Sequence, residues 1–204
     1  MFQRFILFAF LFLVVTQVHA QKAFRAGIVA GINATQISGD DLGGYDKLGL
    51  NAGGFCNFPL SDNWKAQFEI LFSQKGSRKT PHPETGDYTE YKLQLNYVEV
   101  PLLFLRSLPN KLKKFSVEFG PSFAALMSSE ESNQQGIIPG TRDFKSFEIS
   151  FNIGIDYAIS EKFSINFRSN NSVLPVREHA ANSTFLLNRG QYSSVLELTF
   201  RYQF

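Results

Sequence analysis

Every second residue from Phe147 to Ile159 is large and apolar or aromatic: Phe147, Ile149, Phe151, Ile153, Ile155, Tyr157 and Ile159. The residues between them are Glu148, Ser150, Asn152, Gly154, Asp156 and Ala158. Successive strand side chains point to opposite faces, so this period predicts a long β-strand with two chemically opposed sides. The C-terminal segment repeats it, with Leu196, Leu198, Phe200, Tyr202 and Phe204 set against Val195, Glu197, Thr199, Arg201 and Gln203. In all, the alternation predicts eight strands, at 24–33, 48–58, 64–75, 92–105, 115–126, 147–159, 163–170 and 192–204. The fourth shows two phases. Leu93, Leu95 and Tyr97 belong to one, and Val98, Val100, Leu102 and Phe104 to the other. Placing Glu99 inward, where a carboxylate finds partners, turns Val98, Val100 and Leu102 outward. Pro101 cannot donate to a ladder and is expected to mark a bulge, and Gly53-Gly54 a bend.

The connections alternate in length. Segments 59–63, 106–114 and 160–162 are short and carry Ser-Asp-Asn, Pro-Asn and Ser-Glu-Lys turn chemistry. Segments 34–47, 76–91, 127–145 and 171–191 are long and polar. Long loops at every other connection all fall at one end of an up-and-down sheet. The expected fold is therefore all-β: an eight-stranded antiparallel up-and-down transmembrane β-barrel with short periplasmic turns and four long extracellular loops. Alternation alone does not say which face is inside, and a soluble secreted β-barrel carrier would use the same pattern inverted. Strand length and aromatic placement favour lipid. The strands approach the 9–11 residues that cross a bilayer when tilted. Phe58, Trp64, Phe104, Phe115, Tyr157, Phe163 and Tyr202 flank the short turns, where interfacial aromatics are expected. The terminal Phe204 has the form of an outer-membrane assembly signal.

The first twenty residues differ from the rest. Arg4 precedes an apolar run over 5–15, and Val18-His19-Ala20 offers a small-residue cleavage site. This predicts a cleaved signal peptide over 1–20 and a barrel domain over 21–204, exported to the outer membrane of a Gram-negative bacterium. Setting Arg4 aside from the 20 Lys+Arg leaves 19, against 18 Asp+Glu. That balance offers nothing to nucleic acid. The single cysteine, Cys56, makes no internal disulfide and reads as a small residue on a strand face.

Several segments together resemble the PorT-family outer-membrane barrels of Bacteroidetes-type bacteria. They are the Gln21 start, Ala26-Gly27-Ile28-Val29-Ala30-Gly31, Gln67-Phe68-Glu69-Ile70-Leu71-Phe72-Ser73-Gln74-Lys75-Gly76, Tyr97-Val98-Glu99-Val100-Pro101-Leu102-Leu103, Gly120-Pro121 and Arg201-Tyr202-Gln203-Phe204. The resemblance implies the barrel class. It also implies, for some members, a place in a protein-secretion apparatus.

The inward faces carry Arg25, Lys65, Glu69, Glu99, Glu118, Glu148, Asp156, Arg168, Glu197 and Arg201. An eight-stranded barrel is just wide enough for side chains to fill, so these predict a salt-bridged lumen rather than an ion path. A small channel is the competing reading. A lipid-modifying enzyme would need a His base beside a nucleophile at the rim. Outside the signal peptide the only histidines are His82 and His179, both in expected outer loops beside Glu84 and Glu178. They read as solvated. Asp40, Asp41 and Asp46 lack EF-hand spacing, and no phosphate-cradling glycine loop opens a helix. The expectation is a non-enzymatic barrel without metal or cofactor, acting through its loops or envelope partners. Its expected contacts are outer-membrane lipids, the barrel assembly machinery during biogenesis and envelope or secretion-complex proteins.

Overall fold

The computed structural model describes residues 24–40, 42–138, 143–178 and 190–204. The expected signal peptide, Gln21, Asp41 and His179 lie outside them. The described strands are β1 (Arg25–Ser38), β2 (Lys47–Pro59), β3 (Trp64–Lys79), β4 (Tyr91–Ser107), β5 (Phe115–Asn133), β6 (Gly136–Ile137), β7 (Phe147–Ala158), β8 (Phe163–Ser172) and β9 (Tyr192–Gln203). Their order is β4-β3-β2-β1-β9-β8-β7-β5-β6, and a further β4–β5 pairing closes the ring. Eight antiparallel strands make the barrel, and β6 is a two-residue arm on the upper part of β5. Closure satisfies each strand on both sides, which lipid demands because it offers no partner to a free edge.

The wall is apolar outside and polar inside. Ile28 and Ile32 of β1, Phe68 and Ile70 of β3, and Ile153 and Ile155 of β7 are exposed on the outer face. Asn33, Asn51, Glu69, Asn152 and Asn170 are buried on the inner one. A soluble carrier requires the opposite polarity.

The two phases of the fourth strand are a single phase. In β4 the odd positions Leu93, Leu95, Tyr97, Glu99 and Leu103 point inward and are buried, while Val98, Leu102 and Phe104 point outward. The change is one of environment. Below Tyr97 the lumen is polar and the exterior apolar. Above it Leu93, Leu95 and Tyr97 pack inside with Ile37, Ala124 and Val176. There the outer face is polar: Gln74 Nε2 donates to Asn96 Oδ1 at 3.1 Å, and Asn96 Nδ2 donates to Ser128 Oγ at 2.8 Å.

This inversion explains why β1, β3 and β5 run past their expected ends, to Ser38, Lys79 and Asn133. Apolar alternation on the outer face stops at the top of the band, whereas the hydrogen-bonded ladder does not. Parts of the expected loops 34–47, 76–91 and 127–145 are therefore strand.

The expected bulge at Pro101 is not there. Pro101 pairs in register with Ser122, and the one shift in the β4–β5 ladder falls between Asn96 and Tyr97, where polarity inverts. Pairing also runs unbroken through Gly53 and Gly54. Gly53 serves close approach instead, since a Cβ there would lie 2.0 Å from the Ile70 carbonyl oxygen.

Candidate functional site: the filled lumen

Two ion clusters occupy the polar part of the lumen. In the lower one, Arg168 of β8 and Arg201 of β9 share the carboxylates of β3 and β5. Arg168 Nε donates to Glu118 at 2.7 Å, and its Nη1 and Nη2 donate to Glu69 at 3.0 and 3.1 Å. Arg201 Nη2 donates to Glu69 at 2.9 Å, and its Nη1 to Glu118 at 3.0 Å and Asp156 at 2.9 Å. Glu197 stands 3.6 Å from Arg168 and accepts from Asn51 Nδ2 at 3.1 Å. Forked guanidinium contacts of this kind satisfy several carboxylate lone pairs at once, which buried charges need.

The upper cluster centres on Lys75 of β3, with no solvent exposure. Its Nζ lies 3.0 Å from Glu99 and 2.8 Å from Glu148. Ser122 Oγ and Asn170 Nδ2 each donate to Glu99 at 2.6 Å. The ammonium also sits 5.3 Å from the centroid of the Tyr97 ring, which begins the apolar plug above.

Eight of the ten residues singled out by alternation join these clusters. Arg25 and Lys65 do not. Arg25 has the inward parity but is the first residue of β1 and is exposed. Lys65 is half-buried at the lower mouth, where it lines a recess of about 90 Å³ with Gln67, Asp156, Ser164 and Arg201. Parity gives the face of a residue but not its depth. Lys75 is absent from that set, although it is the next member of the series Lys65, Gln67, Glu69, Leu71 and Ser73.

The lumen is capped at its outer end. Val176, from the segment after β8, packs into the apolar plug, against which Phe144 and Tyr91 also lie. Arg177 Nη1 donates to Glu131 at 2.8 Å, its Nε donates to Gln191 at 2.8 Å, and its guanidinium lies 4.2 Å from the Phe144 centroid.

Outside the lumen, the turn-flanking aromatics form contacts around the lower rim. Phe24 meets Phe58 at 5.5 Å, Phe115 meets Tyr157 at 4.8 Å and Phe163 meets Tyr202 at 4.8 Å, centroid to centroid. Trp64 and Phe104 both pack on Phe119 at 6.1 Å. Phe204 is exposed, and its N–H donates to the Ala26 carbonyl at 3.0 Å.

His82 is exposed, with Nδ1 3.0 Å from Glu84. Asp40 accepts from the Leu42 N–H at 3.0 Å, and burial raises its carboxyl above the usual range. Asp46 is exposed. Cys56 is a half-buried free thiol. Among the described residues no group of three His, Cys, Asp or Glu is placed to hold a metal ion.

Residues 17–176 match the family described as outer membrane protein beta-barrel domain. The chain belongs to that family. The crystal structure of Ail, the attachment invasion locus protein of Yersinia pestis, in complex with the heparin analogue sucrose octasulfate, is similar at a TM-score of 0.50 and 11% identity. That match covers 89% of this chain and 99% of Ail. Neisserial surface protein A is similar at a TM-score of 0.47 and 14% identity, covering 89% of this chain and 97% of that one. At 11% identity the likeness to Ail shows the fold alone. No curated protein matches the sequence.

Proposed function

We propose that this family member is a non-enzymatic barrel that works from its outer surface and loops, on envelope partners, rather than through its lumen. The filled lumen carries this reading. Across the polar zone, Lys75, Arg168 and Arg201 join carboxylates from β3, β4, β5 and β7. Above it, Ile37, Leu93, Leu95, Tyr97 and Val176 form an apolar plug. Such an interior is a packed core, as the narrow width of eight strands leads one to expect. Removal of residues 1–20, and delivery of the Phe204-ended strand to the barrel assembly machinery of a Gram-negative envelope, belong to the same reading.

Planar-bilayer recordings on the mature protein test it. The expected result is a heat-modifiable, folded barrel with no discrete conductance steps; stable unitary steps would replace it with a channel. The PorT-like motifs favour one more specific role, membership of a secretion complex. Defined envelope partners that co-purify with the full-length protein, and whose secreted cargo is lost in its absence, would support that role. Secretion unchanged without the protein would remove it.

A further inference from the structure

The apolar outer face is interrupted on β8. Arg168 and Asn170 are buried inward, so alternation turns Phe167, Ser169 and Asn171 outward, and Val173 just past the strand end. Phe167 is 53% exposed and Val173 60%, and between them stand a hydroxyl and an amide. Asn171 is exposed, and its Nδ2 donates to Ser169 Oγ at 2.9 Å. Among the described residues, the second N–H of that amide and its carbonyl oxygen have no partner.

This polar notch lies within the apolar band and not at its edge. The Val173 N–H donates to the Ile149 carbonyl at 2.8 Å, so the β7–β8 pairing runs on above the notch. The outer face of β7 stays apolar to its top, where Ile149 and Phe147 are exposed. Strand tilt is small enough to keep Asn171 below both. The ladder row that leaves β1 at Ala26 passes Phe151 and Asn171 and meets β1 again at Gln36, ten residues higher. Spread over eight strands, that climb is about one residue per strand. Asn171 therefore stands about one residue above Phe151, whereas Ile149 is two above it and Phe147 four. Ser169 is lower still. Hydrocarbon offers no partner to an amide, so its free N–H and carbonyl are costly there. A protein surface at the same depth supplies one.

We propose that the outer face of β8 is the contact between two copies of this chain, paired about a two-fold axis along the membrane normal with Asn171 opposite Asn171. The membrane holds both copies in one orientation at one depth, so such an axis sets each contact residue level with its own equivalent. A primary amide is complementary to itself, since the N–H of each copy donates to the carbonyl oxygen of the other. The short side chains of Ser169, Asn171 and Ser194, the residue paired with Asn171 on β9, let the two walls approach, as small residues do between transmembrane helices. Phe151, Phe167 and Val173, exposed around the notch, supply the apolar contact. The inference rests on the outer-membrane reading.

The test uses the mature full-length protein in phosphatidylcholine vesicles, with single-molecule photobleaching to count copies as the protein density in the lipid is raised. The wild type should pass from monomer to dimer. Asn171→Leu, close in volume but apolar, should raise the dimer dissociation constant by about tenfold, the effect of two amide hydrogen bonds in a membrane. It should not lower the urea midpoint for unfolding. Asn171→Gln, which keeps the amide on a longer stem, should recover part of the association. Ile70→Leu, on the far wall, should leave it unchanged. In outer-membrane fractions, oxidised Cys56→Ser/Val173→Cys should give a band at twice the mass of the chain. A wild type that stays monomeric at every density, or undiminished dimerisation of Asn171→Leu, would overturn the contact. A cross-linked band of another mass in place of the dimer would make a different envelope protein the occupant and overturn the second copy. A wild-type chain that shows no heat-modifiable band in vesicles would refute the membrane reading instead.

Discussion

Lys75 shows how much one buried cation holds in place. It meets Glu99 on the neighbouring strand β4 and Glu148 on β7 across the lumen, and all three side chains are buried from solvent. Lys75→Met leaves two carboxylates uncompensated and should cost about 3–5 kcal/mol, read as a lower urea midpoint for unfolding from vesicles. Replacing the set as Lys75→Met/Glu99→Gln/Glu148→Gln should recover much of that, because the buried charge is removed with its partner. An exposed pair behaves differently. The hydrogen bond from Lys79, helped by the Thr89 N–H at 3.0 Å, holds the Asp87 carboxyl at about 2 instead of 3.8. A lowered folded-state value means that this tie is fully present above pH 3.8 and is lost as pH falls through about 2. An NMR titration should find the Asp87 midpoint near 2 in the wild type, and Lys79→Met should move it toward 3.8. At this scale the sequence identifies inward residues by parity. It did not separate Arg25, on the exposed rim, from Glu69, which has the same parity at full depth.

The strand is the element in which lipid and water are both recorded. On β7 the outer face is apolar from Phe147 to Tyr157, and every side chain there is exposed. On β3, β4 and β5 the apolar outer face ends and a polar ladder, Gln74–Asn96–Ser128, continues above it. A cation placed on the lipid face should therefore cost according to its height. Ile153→Arg, in mid-band, is expected to destabilise by about 2–4 kcal/mol, whereas Gln94→Arg, above the band, should cost about 0–1 kcal/mol. Equilibrium unfolding of the two variants in the same vesicles checks this, and equal costs would mean that the band does not end at Asn96. Strand cores were legible because lipid enforces a strict period of two. Strand ends were not, because above the band the apolar side chains move to the inner face. Gly76 belongs to this upper region. Its φ of 139° suits glycine, and a Cβ would stand 2.1 Å from the Leu93 carbonyl oxygen.

For the whole molecule, closure converts eight amphipathic strands into one body. β1 pairs with β9 from Gly27–Gln203 to Ser38–Tyr192, and β4 pairs with β5, so the described wall of eight strands closes on itself. The absence of conductance expected in planar bilayers belongs to this scale, since it depends on the joint filling of the lumen and not on any single side chain. The sequence by itself determined the number of barrel strands, the faces they present, the end at which the long loops lie and most of the residues that line the interior. These are local properties, set by the period of two and by turn chemistry. Only the tertiary structure decided which charges meet. Glu69 finds Arg168 at a sequence separation of 99 residues and Arg201 at 132, across a lumen whose width and strand stagger no local pattern encodes. It also decided where the interior turns from polar to apolar and that the segment around Val176 folds back over the mouth. Those outcomes depend on which strands lie opposite one another once the ring is shut.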